Sequence, residues 1–454
     1  MRKKFLALLI AFAVAVAGTF TFSGCGILDG AFGSSGDQTG TTDPSGDDNK
    51  QLDDKNIPSD DSKDPEGGNT DPSGGDNQDP SGGDNTDPSG GDNNDPSGGD
   101  NTDPSGGDND DPSAPPPEGL GEGEVTEIKS ADLSIHFINY KNKYAGDSTL
   151  IKVGDTEVLI DAGSRNASAG PIKQYIDKYC TDGTLEYVIA THAHQDHIAG
   201  FVGNSTYKGL LYNYNIGTII TFARTDSTTV VYKNFLTAVD YAVSNGATKY
   251  TALQCWYETD GASRKYYLDD EQTVSLNILY NYYYENKTSN ENDYSVCVLL
   301  TQELGGGYEY NYLFTGDLEE KGEEYLVKNN ELPEVEVFKA GHHGSYTASN
   351  DCLLSVIKPK HVAVCCCSGT NEYSPNKDNQ FPSQAFINRV SKYTDSVYCI
   401  NVVSNNSDGY EPMNGDIVFY TRQRQLKLWC SNNTTKLKDT AWFAENRHGW
   451  GINE

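Results

Sequence analysis

From Asp71 onward the chain repeats an eight-residue unit, Asp-Pro-Ser-Gly-Gly-Asp-Asn-Xaa, in which no position is apolar. A repeat with no apolar position has nothing to stack against its neighbours, so it cannot build a solenoid. Its Gly and Pro also interrupt every regular backbone. The wider stretch 26–121 holds 24 Asp plus Glu against 3 Lys and very few aliphatic or aromatic residues. Of the chain's net charge of −32 over 454 residues, −21 therefore lies where no core can be buried. Residues 25–121 are expected to be a disordered acidic tether. A neutral chain of that length would average about 50 to 60 Å end to end, and repulsion between aspartates extends it. Reach through a cell wall is its expected role. The units lack the turn and bidentate Glu of calcium loops, which argues against a calcium reading.

The beginning of the chain reads as an export signal. Arg2, Lys3 and Lys4 precede an apolar run over 5–17 that is short for a permanent membrane span. Ser23-Gly24-Cys25 follows and resembles the bacterial lipoprotein lipobox, with Phe22 where that family has an aliphatic residue. The resemblance implies removal of residues 1–24 and a diacylglycerol on the Cys25 sulfur. Stable anchoring needs two or more acyl chains. The expected location is the extracellular face of the cell membrane, held by lipid; the alternative is an ordinary signal peptide with an incidental cysteine. The other nine cysteines show no CxxC spacing, and their scatter does not suggest a disulfide scaffold. Cys365-Cys366-Cys367 lie in a strand-like run and are expected to be small buried hydrophobes.

Residues 122–454 remain for the fold, with 42 acidic against 28 basic residues and a net charge of −14. The alternation in 133–138 predicts a strand. Residues 148–153 and 157–160 around Gly154-Asp155 predict a hairpin. Residues 186–191, 308–315, 335–339, 415–420 and 425–430 read as further strands. Residues 171–179, 235–244 and 383–392 have helical spacing. Early, numerous strands with interspersed helices fit a layered α/β domain.

The chemistry concentrates in His192-Ala-His194-Gln-Asp196-His197. Three of the chain's 8 histidines fall within six residues, with an aspartate among them, at the end of a buried strand. Imidazole and carboxylate are ligands for Zn²⁺ and similar divalent ions. His192 and His194 share one face of an extended segment and suit one ion; Asp196 and His197 point elsewhere and suit a second.

This run, followed by Gly200, resembles the metallo-β-lactamase superfamily. So do, in order, Leu159-Ile-Asp161-Ala-Gly163, Phe314-Thr-Gly-Asp317 and Gly341-His342-His343-Gly-Ser345. The resemblance implies an αββα sandwich with metals at one edge. Asp161 then supports the metal loop from behind, with Ser345 in a comparable place, and Asp317 bridges the ions. Gly146-Asp147-Ser148, Asn292, Ser295 and His-His-Gly-Ser narrow the resemblance to the hydrolase domain of late-competence DNA-uptake channel proteins. Asn139 to Gly146 departs from that group's opening motif, and Phe381-Pro382 stands where it has His-Pro. No histidine lies between His197 and Asp317. The first ion is therefore expected on His192, His194 and Asp317, completed by water or an oxygen ligand; Asp293 or Asn292 could fill the place, but an Asn or Asp in a turn is the readier reading of both. The second is expected on Asp196, His197, Asp317 and His342, leaving His343 for catalysis as a general acid or phosphate contact, with Asp196 orienting the nucleophile.

One or two divalent ions, Zn²⁺ first and Mn²⁺ as the alternative, lower the pKa of bound water towards neutrality. A nucleic-acid phosphodiester is the expected substrate class, although the domain lacks the basic footprint usual for such binders. Only Arg422, Arg424 and Lys427, with Lys358 and Lys360, offer a modest patch. A small ester, lactone or β-lactam is the alternative substrate, and a non-catalytic wall-associated binding protein the third reading. No partner protein is expected. The tyrosines Tyr282-Tyr-Tyr284 carry no functional assignment.

Overall fold

Successive residues of the second-half strands belong to different cores. In a computed structural model, which describes residues 113–404 and 409–451, Leu300, Tyr312, Phe314, Ala363 and Cys365 join one cluster. Their neighbours Leu299, Leu313, Val362, Val364 and Cys366 join another. A strand alternates its side chains with period two, so this pattern means a sheet buried on both faces. The export signal, Cys25 and the tether up to residue 112 lie outside the described residues.

Two sheets result. The first runs, in spatial order, Gly121–Glu122, Gln425–Cys430, Ile417–Arg422, Leu133–Phe137, Thr149–Val153, Thr156–Ile160, Thr184–Ala190, Asn215–Thr221 and Thr248–Thr251. The second runs Tyr410–Pro412, Val397–Val403, His361–Ser368, Val337–Lys339, Tyr308–Phe314, Val298–Gly305, Val274–Ile278 and Lys265–Tyr267. Each combines an antiparallel meander with a run of parallel strands. The expected hairpin forms around Gly154, whose φ of 55° suits glycine.

Between the sheets, Phe137 meets Phe314 at 6.3 Å between ring centroids, and His361 stacks on Phe419 at 5.6 Å. Helices cover the outer faces. Ala169–Ile176, Gln195–Val202 and Val230–Ser244 pack with the first sheet. Glu320–Asn329, Asp351–Ile357 and Gln384–Val390 set Leu326, Leu354, Ile357 and Phe386 against the second. This is the αββα sandwich. Each fully buried Leu or Phe contributes about 1.5–3 kcal/mol. All nine described cysteines are free thiols, and eight are buried. The run 365–367 is strand core, as its composition implied.

Gly121 and Glu122 already pair in parallel with Lys427 and Leu428, so the sheet begins where the tether was expected to end. Among the described residues, no helix is long and apolar enough to cross a membrane. Tyr282–Tyr284 form a short turn, with Tyr282 stacked on Tyr325 at 4.1 Å between centroids.

Parallel strands all point their carboxyl ends to one edge, and loops leaving those ends converge there. Thr156–Ile160 leads to Asp161, Thr184–Ala190 to His192, Tyr308–Phe314 to Asp317, and Val337–Lys339 to His342 and His343. Gly200 lets the helix after the histidine run close on the Asp161 loop. Its N–H donates to the Ala162 carbonyl at 2.9 Å, and a Cβ there would sit 2.0 Å from that oxygen.

Candidate metal centre

The histidine run changes backbone midway. The strand ends at Ala190, the chain bends at Ala193, and the helix Gln195–Val202 starts with His194, itself extended, in the N-cap position. His192 and His194 thus approach from the segment before the helix, while Asp196 and His197 come from the first helical turn. His192 Nε2 lies 3.0 Å from His194 Nδ1. His192 Nδ1 is held at 3.1 Å by Thr191 Oγ1 and at 3.4 Å by Ser295 Oγ.

Asp161 ties the run to the neighbouring strand end. Its carboxylate accepts from the Thr191 N–H at 2.8 Å, from the Thr191 hydroxyl at 2.7 Å and from His197 Nδ1 at 2.8 Å. That carboxylate fixes the ring so that His197 Nε2 faces Asp317 Oδ2 at 3.0 Å. His343 Nε2 closes the group, 3.1 Å from Asp317 Oδ2 and 3.2 Å from Asp196 Oδ2. One donor atom from each of Asp196, His197, Asp317 and His343 lies within 4.8 Å of the others, all four residues buried. Asp317 Oδ1 is buried without a hydrogen-bond partner and lies 3.5 Å from the Lys339 ammonium, while Oδ2 faces the imidazoles. Two imidazoles and two carboxylates around one small space fit a divalent cation.

The two late histidines differ in how closely they approach the carboxylates. Both adopt left-handed backbone, His342 at φ 44° and His343 at φ 53°, a costly conformation for two consecutive non-glycine residues. The turn sends the fully buried His343 ring into the carboxylate cluster. His342, still 16% exposed, keeps its Nε2 3.9 Å from Asp317 Oδ2. Its Nδ1 is held by Glu319 at 3.1 Å and Thr347 at 3.2 Å. His343 is therefore the ligand candidate of the second site, and His342 stands at the rim beside the shared aspartate.

Asn292 and Asp293 sit in a turn tied to Glu319, with Asn292 Oδ1 buried and lacking a hydrogen-bond partner. Asn292 donates to Glu319 at 3.1 Å, and Asp293 accepts weakly from Glu319 N–H and Thr288. Ser345 stands one step away from the ligands: its hydroxyl pairs with Thr347, which in turn meets His342 and Glu319.

The two sides differ electrostatically. Burial holds the His192 pKa well below its usual value, reinforced by His197 and His194. Burial also lowers His194. At His197 burial acts the same way, but Asp317 and Asp161 outweigh it and raise the pKa well above its usual value. Asp317 and Asp147 do the same for His343. Burial opposes ionisation of Asp196 and Asp317, yet the facing histidines hold both well below the ordinary carboxylate range.

Lys339, Glu291 and Tyr373 escaped the sequence reading, while Asp147 and Glu319 lay in motifs, Gly146-Asp-Ser148 and Thr315-Gly-Asp-Leu-Glu319, without an assigned role. Lys339, buried at the end of its strand, pairs with Asp147 and lies 3.5 Å from Asp317 Oδ1. Asp147 also lies 3.2 Å from His343 Nδ1. Glu319 gathers Asn290, Asn292, Thr347 and His342. Glu291 accepts from the Ala193 N–H at 3.2 Å, between the first two histidines, and burial lifts its pKa to about 7. Tyr373 donates its hydroxyl to Asp196 Oδ2 at 2.7 Å. Gly146-Asp147-Ser148 was a visible motif; Lys339 stood two residues before Gly341 with nothing in its spacing to mark it.

The model of the metallo-beta-lactamase superfamily matches residues 142–203, which carry Asp147, Asp161 and the histidine run. "Recombination protein 2" of Haemophilus influenzae is 30% identical over 110 residues, 24% of this chain and 12% of that protein's length. Among solved structures, the metallo-beta-lactamase fold protein YhfI from Bacillus subtilis is 12% identical, with coverage of 61% of this chain and 98% of its own and a TM-score of 0.33. A probable metal-dependent hydrolase from Staphylococcus aureus is 14% identical, with coverage of 41% and 73% and a TM-score of 0.24. With scores this low, neither structure adds to what the strand order and the site establish. The match to the metallo-β-lactamase superfamily thus falls on the segment that carries Asp147, Asp161 and the histidine run, within a layered αββα domain.

Proposed function

We propose that this domain is a metal-dependent hydrolase of phosphodiester bonds in nucleic acid, acting outside the cell from a lipid anchor at Cys25. The observation that carries the hydrolase reading is the convergence of Asp196, His197, Asp317 and His343 beside the His192–His194 pair. In this reading the second ion sits on those four residues. The first sits on His192, His194 and Asp317, with His342 at its rim. A divalent ion held there polarises the scissile group and acidifies a coordinated water. The chain's own residues do the rest. Asp161 and Ser295 hold His197 and His192 in place. Glu319 orients His342, which as the more exposed imidazole is the group available to a substrate anion or leaving group. Asp196 holds a carboxylate oxygen where a nucleophile's proton is accepted.

The preference for nucleic acid rests on the resemblance to DNA-uptake hydrolase domains and on the 110-residue similarity to a protein named for recombination. A second reading, hydrolysis of a small ester, lactone or β-lactam, is favoured by the surface. Lys427 and Arg422 pair with Glu127, Lys358 with Glu334 and Lys360 with Glu336. The basic patch expected from sequence is thus largely neutralised. Zn²⁺- and Mn²⁺-loaded full-length protein should be assayed on bis-p-nitrophenyl phosphate, single-stranded DNA, a lactone and a cephalosporin. Hydrolysis of the first two is expected. Turnover of only the last two would replace the phosphodiester reading by the second.

A further inference from the structure

The loop between the strand His361–Ser368 and the helix Gln384–Val390 reaches into the metal centre through one side chain. Its base is closed by the Gly369 N–H donating to the Phe381 carbonyl at 2.8 Å. Midway, Glu372 is bound on two sides. It pairs with Arg165 at 2.5 Å and accepts from the Ala145 N–H at 3.0 Å. Arg165 is itself fixed, its guanidinium 3.8 Å from the Tyr144 ring centre and donating to the Ser164 carbonyl at 2.7 Å. The loop is thereby fastened to the segment that carries Asp147.

Tyr373 follows Glu372. Its ring packs on Phe381 at 5.3 Å between centroids and remains 44% exposed, yet its hydroxyl meets Asp196 Oδ2 at 2.7 Å. Phe381 also borders His342 and His343, at 5.7 and 5.8 Å. The one polar atom of this aromatic wall is thus spent on a ligand carboxylate. A donor held there occupies one lone pair of Oδ2 and fixes the carboxylate's rotation, leaving its remaining lone pairs to face His197, Asp317 and His343. Hydrogen-bonded partners of ligating groups tune metal affinity in this way.

We propose that Tyr373 is a positioning residue: its hydroxyl sets the Asp196 carboxylate for the second ion, and the Glu372–Arg165 pair holds it in reach. The inference rests on the metal-centre reading above. Its test is metal affinity. Chelator-stripped full-length protein is titrated calorimetrically with Zn²⁺ or Mn²⁺, and the ion abolished by Asp196→Ala is assigned to the second site. Tyr373→Phe keeps the ring and its contact with Phe381. It is expected to weaken that ion about 10- to 100-fold, while the ion abolished by His194→Ala stays within about twofold of wild type. Glu372→Gln should weaken the same ion less, by a few-fold. Wild-type affinity in Tyr373→Phe, or equal weakening of both ions, would overturn the proposal and leave the metal reading standing. A wild-type protein that takes up no ion overturns both.

Discussion

The two sides of the metal centre are built of different materials. His192 and His194 arrive from the segment between strand and helix, are flanked by hydroxyls and other imidazoles, and are kept neutral by burial. Asp196, His197, Asp317 and His343 arrive from three different loops and bring two carboxylates, so their imidazoles are pulled towards the protonated state. A neutral imidazole pair is ready to coordinate. A carboxylate-rich group holds protons in place of a cation and releases them when the cation enters. The difference implies that the side with more negative charge is the one whose ion uptake is coupled to pH.

The largest effect should come from Asp317, which the proposed reading assigns to both ions. Asp317→Ala is expected to abolish uptake of both ions, seen by elemental analysis, and to cut metal-dependent hydrolysis of the substrate that the wild type turns over at least about a thousandfold. Full retention of either ion would show that the sides do not share it. Next, His343→Ala and His194→Ala should each remove one ion and leave the other, with activity falling about a hundredfold or more in each. Loss of the same ion in both variants would merge the two sides into one site. Asp161→Asn, which weakens the hold on His197, should lower affinity for the second ion about 10- to 100-fold and spare the first.

The smallest effect is the pH dependence of the stripped protein's stability. The raised pKa values of His197 and His343 contribute stability that is complete below their unfolded value of 6.5 and lost as pH rises through their folded values. The lowered values of His192 and His194 work in the opposite sense, eroding stability as pH falls below 6.5. Each displaced group contributes a slope of about 1.4 kcal/mol per pH unit within its window. In urea unfolding, His343→Ala should therefore cost more at pH 6 than at pH 9. His192→Gln should reduce sensitivity to acid. Identical pH profiles in the two variants would remove the electrostatic contrast.

What the sequence made legible follows the length scale of each interaction. His192, His194, Asp196 and His197 lie on one strand, turn and helix start, so their types and spacing already imply a shared ion. The core alternation of 299–300 and 362–366 is a local pattern as well. The order of His342 and His343 was not legible, because two consecutive left-handed backbone conformations decide which ring turns inward. Lys339 and Tyr373 were not legible either. Lys339 pairs with Asp147 across nearly two hundred residues of chain, and Tyr373 touches Asp196 only once its loop is fastened by Arg165. The tie of Asn292 and Asp293 to Glu319 was not legible, because Glu319 comes from a different turn.

Lys339 has a consequence for how the centre survives when it is emptied. Its ammonium is a covalently attached positive charge, buried against Asp147 and Asp317, that no chelator can extract. Asp147 and Asp317 therefore keep a compensating charge whether or not an ion is bound, so a chelator-treated protein is expected to keep its fold and to reload on addition of metal, which circular dichroism before and after stripping checks.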